Sequence, residues 1–241
     1  MDGIPLRSSR PLLAPPARLR AGVLLACCAI LVAVLGVLFA RQAKPDQLDQ
    51  AIDSPIITWL GGHQGLAAWL AAPGSQIPAG VLSVAVVVAC LLARRPNGAL
   101  LAAAAVPAAV GLNDGLFKPL VDRTYLGVLT YPSGHTATMF ALAATVAVLL
   151  LSPPRPALTR VLRVLILGGS FVLGGVVAVG VIGLRWHYFT DTVAGAAVGI
   201  GTVCGLALLL DLRVARRCLA RAPGGNCRRA RPSDESARPC A

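Results

Sequence analysis

Charged residues are scarce in this chain and account for only 13% of its 241 residues. Hydrophobic residues make up 56% of the sequence, and the mean hydropathy is +0.73. This composition excludes an ordinary soluble domain and predicts a polytopic membrane protein. The helix-rich composition of Ala, Leu and Val, with Gly and Pro at the breaks, favours transmembrane helices over a barrel.

Cysteine patterns that would indicate a disulfide framework or a metal site are also missing. The seven cysteines include no CxxC pair, and no spacing of cysteine and histidine matches a zinc site. Four cysteines fall inside apolar runs and three in the C-terminal tail. We therefore expect the cysteine side chains to act as small apolar packing residues and to form no disulfide. The sequence therefore predicts neither a metal nor a cofactor.

Long apolar runs are abundant, and six of them can cross a membrane. They predict an all-α bundle of six transmembrane helices over residues 21–212. We expect a disordered basic segment at 1–20 and a disordered arginine-rich tail at 213–241. The first run is longer than the core of a signal peptide, which favours an uncleaved anchor. The predicted spans are 21–40, 77–93, 99–112, 136–151, 161–184 and 192–212.

The basic residues predict which side of the membrane each loop occupies. Six spans put both termini on one side, and 17 of the 22 lysines and arginines fall on that side, which predicts cytoplasmic termini in an integral membrane protein. The net charge of +12 lies at the ends of apolar runs and in the tail, so it favours anionic lipid head groups over nucleic acid as a partner. The five basic residues on the outer side are Arg41, Lys44, Lys118, Arg123 and Arg185.

Two polar segments, each followed by an apolar run, fall on the same outer side. In the first, residues 131–136, Pro and Gly mark a turn, and Ser133 occupies the position of a helix N-cap. A helix start of this kind presents backbone N–H groups to an anion. In the second, residues 185–191, His187 and Asp191 are four residues apart and can share one face of a helical turn.

Together the two segments hold the groups needed for phosphoryl transfer through a phosphohistidine. A carboxylate beside one ring nitrogen makes the other nitrogen a better nucleophile, which predicts a joint role for His187 and Asp191. His135 is then available as a general acid. Cations and N–H or O–H donors on the same side can stabilise the phosphoryl oxygens. These phosphate-binding candidates are Lys118, Arg123, Ser133, Gly134 and Arg185.

Each of these residues alone also has a structural interpretation. A histidine at a helix end is usually an interfacial polar residue, and a lysine there is usually a snorkelling anchor. Asp114 and Asp122 are expected to form local ion pairs with Lys118 and Arg123. The acids further upstream are expected in a solvated loop: Asp46, Asp49 and Asp53.

At these residues the chain resembles the type 2 phosphatidic acid phosphatase (PAP2) superfamily, membrane lipid phosphatases that share a core with vanadium haloperoxidases. The second family motif, Pro-Ser-Gly-His, is matched in full by residues 132–135. The third ends in His, three residues and Asp, matched by His187 and Asp191, and the first begins with Lys, matched by Lys118. The resemblance covers about residues 46–212.

The resemblance implies a PAP2-like six-helix core and a metal-independent phosphatase acting on a membrane lipid phosphate or diphosphate at the outer face. It implies that His187 is the nucleophile, oriented by Asp191, and that His135 protonates the leaving group. The family residues that would hold the phosphate correspond to Lys118, Ser133 and Gly134.

Two other functions remain open. The arginines of the first and third family motifs are replaced by Tyr125 and Val181, with Arg123 and Arg185 nearby as possible substitutes. This departure is the argument for a weak or inactive PAP2-like protein that binds lipid or acts as a scaffold. A small transporter is disfavoured because the spans carry few charges and show no evident inverted repeat.

Overall fold

Six apolar helical stretches make up most of the fold. The computed structural model describes residues 11–152 and 158–221. Within those residues, six helical stretches are long and apolar enough to cross a membrane, and each overlaps one of the predicted spans. The chain is therefore an all-α polytopic membrane protein, as predicted. The six stretches are Pro15–Leu38, Gln64–Leu92, Pro96–Val121, Gly134–Leu151, Arg160–Gly183 and Phe189–Val214.

The helices are numbered here in chain order. They are α1 (Pro15–Leu38), α2 (Gln47–Leu60), α3 (Gln64–Ala71), α4 (Gln76–Leu92), α5 (Pro96–Leu112), α6 (Lys118–Val121), α7 (Gly134–Leu151), α8 (Arg160–Gly183) and α9 (Phe189–Arg221). A tight 3₁₀ turn at Ala72–Gly74 separates α3 from α4, and a wide π-helical turn at Asn113–Phe117 separates α5 from α6. Two antiparallel strands, β1 (Thr124–Tyr125) and β2 (Val128–Leu129), form a hairpin before α7.

The core of the bundle lies between α7 and α9. In the most apolar 18-residue stretch of each span, 61% of the residues of α7 and 56% of those of α9 are buried. In the other four spans that share is 17–28%. Gly195 and Gly199 of α9 face α7, and a Cβ at Gly199 would lie 2.7 Å from the backbone nitrogen of Ala141. Glycines four residues apart let two helix backbones approach this closely. The crossing brings the first turns of α7 and α9 together.

One end of the bundle gathers the loops that carry the two polar segments. The Thr124 N–H donates to the Gln42 carbonyl at 3.0 Å, which joins the hairpin to the loop after α1. The Ser133 N–H donates to the Asp191 carbonyl at 2.9 Å, which joins the start of α7 to the start of α9. The two segments therefore lie side by side.

The opposite end is held together by Asp211 of α9. Its buried carboxylate accepts the N–H groups of Leu12 at 2.6 Å and Leu13 at 3.0 Å. It also accepts Nε of Arg18 at 3.1 Å. The segment before α1 is thus fixed against the last described helix.

Two predicted boundaries are wrong. The structure begins α1 at Pro15 and extends α9 to Arg221. Proline is favoured in the first turn of a helix, and Ala17, Arg18 and Leu19, which follow the two prolines, are good helix formers. The two helices therefore extend into the predicted tails, over residues 15–20 and 213–221. Residues 1–10 and 222–241 of the predicted tails lie outside the described residues.

Candidate active site

His135 and His187 meet where the two polar segments come together. Their ring centroids are 6.5 Å apart. His135 lies in the first turn of α7, and His187 lies just before α9 begins. The indole ring of Trp186 lies 5.5 Å from the His135 ring, on the same side of the site.

Ser133 is the N-cap of α7, as the sequence predicts. Its Oγ accepts the Thr136 N–H at 3.4 Å and the Thr136 hydroxyl at 3.1 Å. Ser133 is fully buried and is not among the residues that line the cavity described below. Its contact with phosphate stays a prediction. Gly134 and His135 line the cavity instead.

His187 is a buried imidazole whose surroundings disfavour the protonated form. Burial lowers its pKa to about 3, and the charges of His135 and Lys118 act in the same direction. Its Nδ1 lies 3.9 Å from Oδ2 of Asp191, which is longer than a hydrogen bond. Nδ1 has no hydrogen-bond partner among the described residues. A neutral ring keeps a nitrogen lone pair for nucleophilic attack.

Asp191 is held in place from two sides. Its Oδ1 accepts Nη1 of Arg123 at 2.7 Å, and its Oδ2 accepts the Tyr188 N–H at 3.0 Å. The four-residue spacing does bring the carboxylate beside His187. At 3.9 Å, however, the carboxylate forms no hydrogen bond to the imidazole.

Arg123 points away from the cavity into the protein. Its side chain is fully buried, and Nη2 donates to Oδ2 of Asp49 at 2.5 Å. Nη1 donates to the Thr190 hydroxyl at 2.7 Å as well as to Asp191. Asp122 ends α6 in the left-handed conformation, with φ 54°, and the chain turns inward there. The predictions that Arg123 binds phosphate and pairs with Asp122 are therefore wrong.

Two acids of α2 belong to the surroundings of the site, and sequence reasoning missed them. Asp49 accepts the Thr190 N–H at 3.0 Å, and Asp53 accepts the Phe189 N–H at 3.1 Å. Both carboxylates are buried, so the predicted solvated loop is wrong for them. A signal was present: Asp46 is the N-cap of α2, and four-residue spacing puts Asp49 and Asp53 on one helix face.

The start of α9 is closed to a further anion. Its first N–H groups donate to the carboxylates of α2, which already compensate the positive end of the helix dipole. The first turn of α7 carries no acidic residue, and Gly134 of that turn lines the cavity. Of these two helix starts, that of α7 is the one left open to an anion.

Lys118 reaches the cavity from the end of the π-helical turn. Turns of this kind are frequent at functional sites. The Lys118 Nζ lies 2.8 Å from Oδ1 of Asp114, which confirms the predicted ion pair. The same oxygen accepts Nδ2 of Asn113 at 3.0 Å. A phosphate bound here would share Lys118 with a carboxylate.

Arg185 ends α8 in the left-handed conformation, with φ 57°. Its N–H donates to the Ile182 carbonyl, and the Trp186 N–H donates to the Val181 carbonyl, which is the Schellman pattern of helix ends. Glycine is the usual residue here, since an L side chain costs roughly 1–2 kcal/mol in this conformation. Arg185 nevertheless occupies the position and lines the cavity.

A cavity of about 1070 Å³ opens in front of the histidine pair. One wall is polar and carries His135, His187, Lys118 and Arg185. The hairpin of β1 and β2 contributes Tyr125, Leu126, Val128 and Leu129. The apolar wall comes from α4 and α5, which belong to two of the membrane spans. Its residues include Ile77, Pro78, Ala79, Val106, Pro107 and Val110.

None of the described cysteines lines the cavity. The cysteines whose side chains the structure describes are free thiols: Cys27, Cys28, Cys90 and Cys204. Within the described residues, no group of three or more His, Cys, Asp or Glu side chains is arranged to hold a metal ion.

Comparison with known proteins identifies the family. No curated protein and no solved structure matches the chain. A sequence model of the PAP2 superfamily matches residues 17–214, a range that contains both polar segments and nearly all of the six spans. Proteins of this superfamily are generally phosphatases that act on phosphate esters. The chain belongs to the PAP2 superfamily, as its motifs indicated.

Proposed function

We propose that the protein is a phosphatase that removes phosphate from a membrane lipid phosphate or diphosphate through a phosphohistidine on His187. The observation that carries the proposal is the 6.5 Å separation of the His135 and His187 rings at a cavity with one polar and one apolar wall. In such a step the attacking nitrogen approaches phosphorus to roughly 3–3.5 Å, while the acid bonds to the leaving oxygen on the other side of the phosphorus. Two imidazole rings this close to each other can both contact one phosphoryl group.

In the first step, a nitrogen of His187 attacks the phosphorus, and the bond between phosphorus and the lipid oxygen breaks. His135 donates a proton to that oxygen, so the lipid leaves as an alcohol or, from a diphosphate, as a monophosphate. A bound phosphate favours protonated His135, because an opposite charge stabilises the imidazolium. Asp191 stabilises the positive charge that develops on the ring of His187.

In the second step, water attacks the phosphorus of the phosphohistidine. His135, now neutral, accepts a proton from that water, and the bond between phosphorus and nitrogen breaks. Inorganic phosphate leaves, and His187 returns to its neutral form. The two steps consume one water molecule and restore both histidines.

Lys118, Arg185 and the N–H groups at the start of α7 would hold the phosphoryl oxygens. All of them belong to residues at the cavity wall, and Gly134 adds no side chain that could block the approach. The Arg185 side chain forms no ion pair within residues 11–152 and 158–214, so its charge is available to a ligand. Preorganised cations and N–H donors of this kind stabilise charge in phosphoryl transfer.

The apolar wall supports a lipid as the substrate. Because α4 and α5 are membrane spans, an acyl or prenyl chain lying along them stays in contact with the hydrocarbon region. Trp186 is half exposed beside His135, and an amphipathic indole suits the boundary between head groups and chains. A soluble phosphate ester would leave this wall exposed to water.

The distribution of basic residues supports cytoplasmic termini and a site on the outer face. Arg95 donates to the Leu149 carbonyl near the last turn of α7, at the end of that helix opposite His135. The exposed hairpin residue Leu126 offers a test of orientation. A Leu126→Cys variant should react with an impermeant maleimide added to intact cells. Labelling of that position only after lysis would reverse the proposed orientation.

The function is tested by phosphate release from purified protein. Glycerolipid phosphates and polyprenyl phosphates or diphosphates are the substrates, each assayed with and without a metal chelator. We expect release from at least one lipid, no effect of the chelator, and no release by His187→Ala. Activity that persists in His187→Ala would remove the proposed nucleophile, and no release from any lipid would overturn the function.

Two observations favour a non-catalytic role in lipid binding or as a scaffold. Arg123 is withdrawn from the cavity, and Lys118 is already paired with Asp114. In that case the protein would bind a lipid phosphate without turnover, with an affinity unchanged in His135→Ala. Turnover that is lost in His135→Ala would exclude this second function.

A further inference from the structure

Asp49, Arg123 and Asp191 form a buried charge chain beside the active site. Arg123 lies between the two carboxylates, at 2.5 Å from Asp49 and 2.7 Å from Asp191, and all three side chains are fully buried. We propose that Asp49 and Arg123 are positioning residues that hold Asp191 beside His187, which makes α2 part of the catalytic apparatus. The inference rests on the proposed phosphatase function.

Arg123 determines both the position and the charge of the carboxylate beside His187. It binds Oδ1 of Asp191, while the Tyr188 N–H binds Oδ2, the oxygen that lies 3.9 Å from Nδ1 of His187. Without Arg123, Asp49 and Asp191 would be buried carboxylates with no counter-charge. Such groups take up protons or move apart. Either change would remove the negative charge that stabilises His187 during attack.

The surroundings of Arg123 require a guanidinium. Its central carbon lies 4.3 Å from the ring centroid of Phe39 and 4.4 Å from that of Tyr188. A planar guanidinium can stack against aromatic rings while its fork binds two carboxylates, whereas a lysine ammonium is a point charge. The arrangement therefore depends on the shape of arginine as well as on its charge.

Asp49 ties α2 to the backbone that carries His187. Its Oδ1 accepts the Thr190 N–H at 3.0 Å and the Thr190 hydroxyl at 2.9 Å. Thr190 belongs to the short segment between His187 and Asp191, so Asp49 restrains that segment directly. Neither Asp49 nor Arg123 lines the cavity. A change in either should alter catalysis through His187 without altering contact with phosphate.

The test compares kcat with KM in full-length Asp49→Asn, Arg123→Lys and Arg123→Gln. Dioleoyl phosphatidic acid is the first substrate, with the best lipid of the panel as its replacement, and inorganic phosphate is the inhibitor. We expect kcat to fall about tenfold to hundredfold, by analogy with the loss of residues that orient metal ligands. KM and inhibition by phosphate should not change. Arg123→Lys should keep more activity than Arg123→Gln because it retains the charge.

Asp211→Asn is the matched control. Asp211 is on the same helix as Asp191, and its buried carboxylate also pairs with an arginine, Arg18 of α1. It lies roughly 30 Å from the start of α9, at 1.5 Å per residue. We expect the substitution to lower the melting temperature and to leave kcat per folded molecule unchanged.

Three results would overturn the inference while leaving the phosphatase function in place. They are an unchanged kcat in folded Asp49→Asn and Arg123→Lys, a rise in KM or weaker phosphate inhibition at constant kcat, and failure of both variants to fold. The first and third would assign a purely structural role, and the second would mean direct contact with phosphate. Absence of turnover by the unmodified protein would overturn the function and the inference together.

Discussion

Gly195 of α9 lies directly against the Ser133 carbonyl of α7, and there is no room for a side chain between them. A Cβ at this position would also lie 3.2 Å from the backbone nitrogen of Ala137. We therefore expect Gly195→Ala to push α7 and α9 apart and to separate His135 from His187. The free energy of unfolding should fall by about 1–3 kcal/mol, as in other overpacked cores. Thermal unfolding in detergent and phosphate release measure the two effects.

Gly168 of α8 is the control for this substitution. A Cβ there would meet nothing within 4 Å. Gly168→Ala should leave phosphate release unchanged and raise stability by about 0.5–1 kcal/mol, because alanine favours a helix interior. Equal losses in the two variants would mean that the α7–α9 contact is not specifically required.

Arg185→Gly should separate stability from substrate binding. Glycine relieves the left-handed strain at the end of α8, so stability should stay the same or rise by about 1 kcal/mol. Loss of the guanidinium should raise KM for a lipid phosphate about tenfold or more, since a charged hydrogen bond contributes roughly 1.5–3 kcal/mol. Steady-state kinetics and thermal unfolding test the prediction.

Arg94→Gly provides the comparison. Arg94 ends α4 in the same left-handed conformation, with φ 53°, and does not line the cavity. It should show the same gain in stability with no change in KM. A normal KM in Arg185→Gly would remove Arg185 from phosphate binding.

Protonation of His187 should not set the acid side of the pH profile. Burial lowers its pKa to about 3, so the ring stays neutral and nucleophilic down to about pH 4. We therefore expect that protonation of His187 causes no fall in kcat/KM above that pH. NMR titration of the free protein, with His187→Asn to assign the signal, measures the pKa. A His187 signal that titrates near its ordinary value of about 6.5 would contradict the prediction.

Asp53→Asn should change how stability depends on pH. Burial and the nearby Asp49 raise the pKa of Asp53 from 3.8 to about 7. The folded protein therefore binds this proton more tightly than the unfolded chain, and the stability that this proton contributes is lost as pH rises from about 4 to 7. Asparagine carries no charge and still offers an acceptor to the Phe189 N–H.

We therefore expect Asp53→Asn to be more stable than the unmodified protein above pH 7 and to differ little from it near pH 4. Melting temperatures measured across this range in one detergent would show the two curves converge on the acid side. Curves that stay parallel from pH 4 to 8 would mean that Asp53 is not protonated in the folded protein.

The sequence predicted the fold well because membrane spans are determined by long apolar runs. It also placed Lys118, His135 and His187 on one side, since the order of spans alone decides which loops share a face. The N-cap at Ser133 could be predicted because a cap depends on neighbouring residues only. These features depend on composition and local spacing.

The direction in which a side chain points could not be predicted from local sequence. Arg123 was predicted to face phosphate, yet it turns inward after Asp122 and meets Asp49, a residue 74 positions earlier in the chain. No local pattern encodes that meeting, because it depends on how α2 packs against the start of α9. From the sequence alone Asp49 is predicted to be a surface acid, because its partner, the buried guanidinium of Arg123, is distant in the chain.

The Asp211 contacts have a consequence for biosynthesis. Leu12 and Leu13 are among the first described residues made, and their partner on α9 is among the last. The same late helix supplies Asp191 and the two glycines that fit against α7. A chain still emerging from the ribosome therefore has all its earlier spans in the bilayer without a working site. Translation that stops before α9 would yield an inserted but inert product.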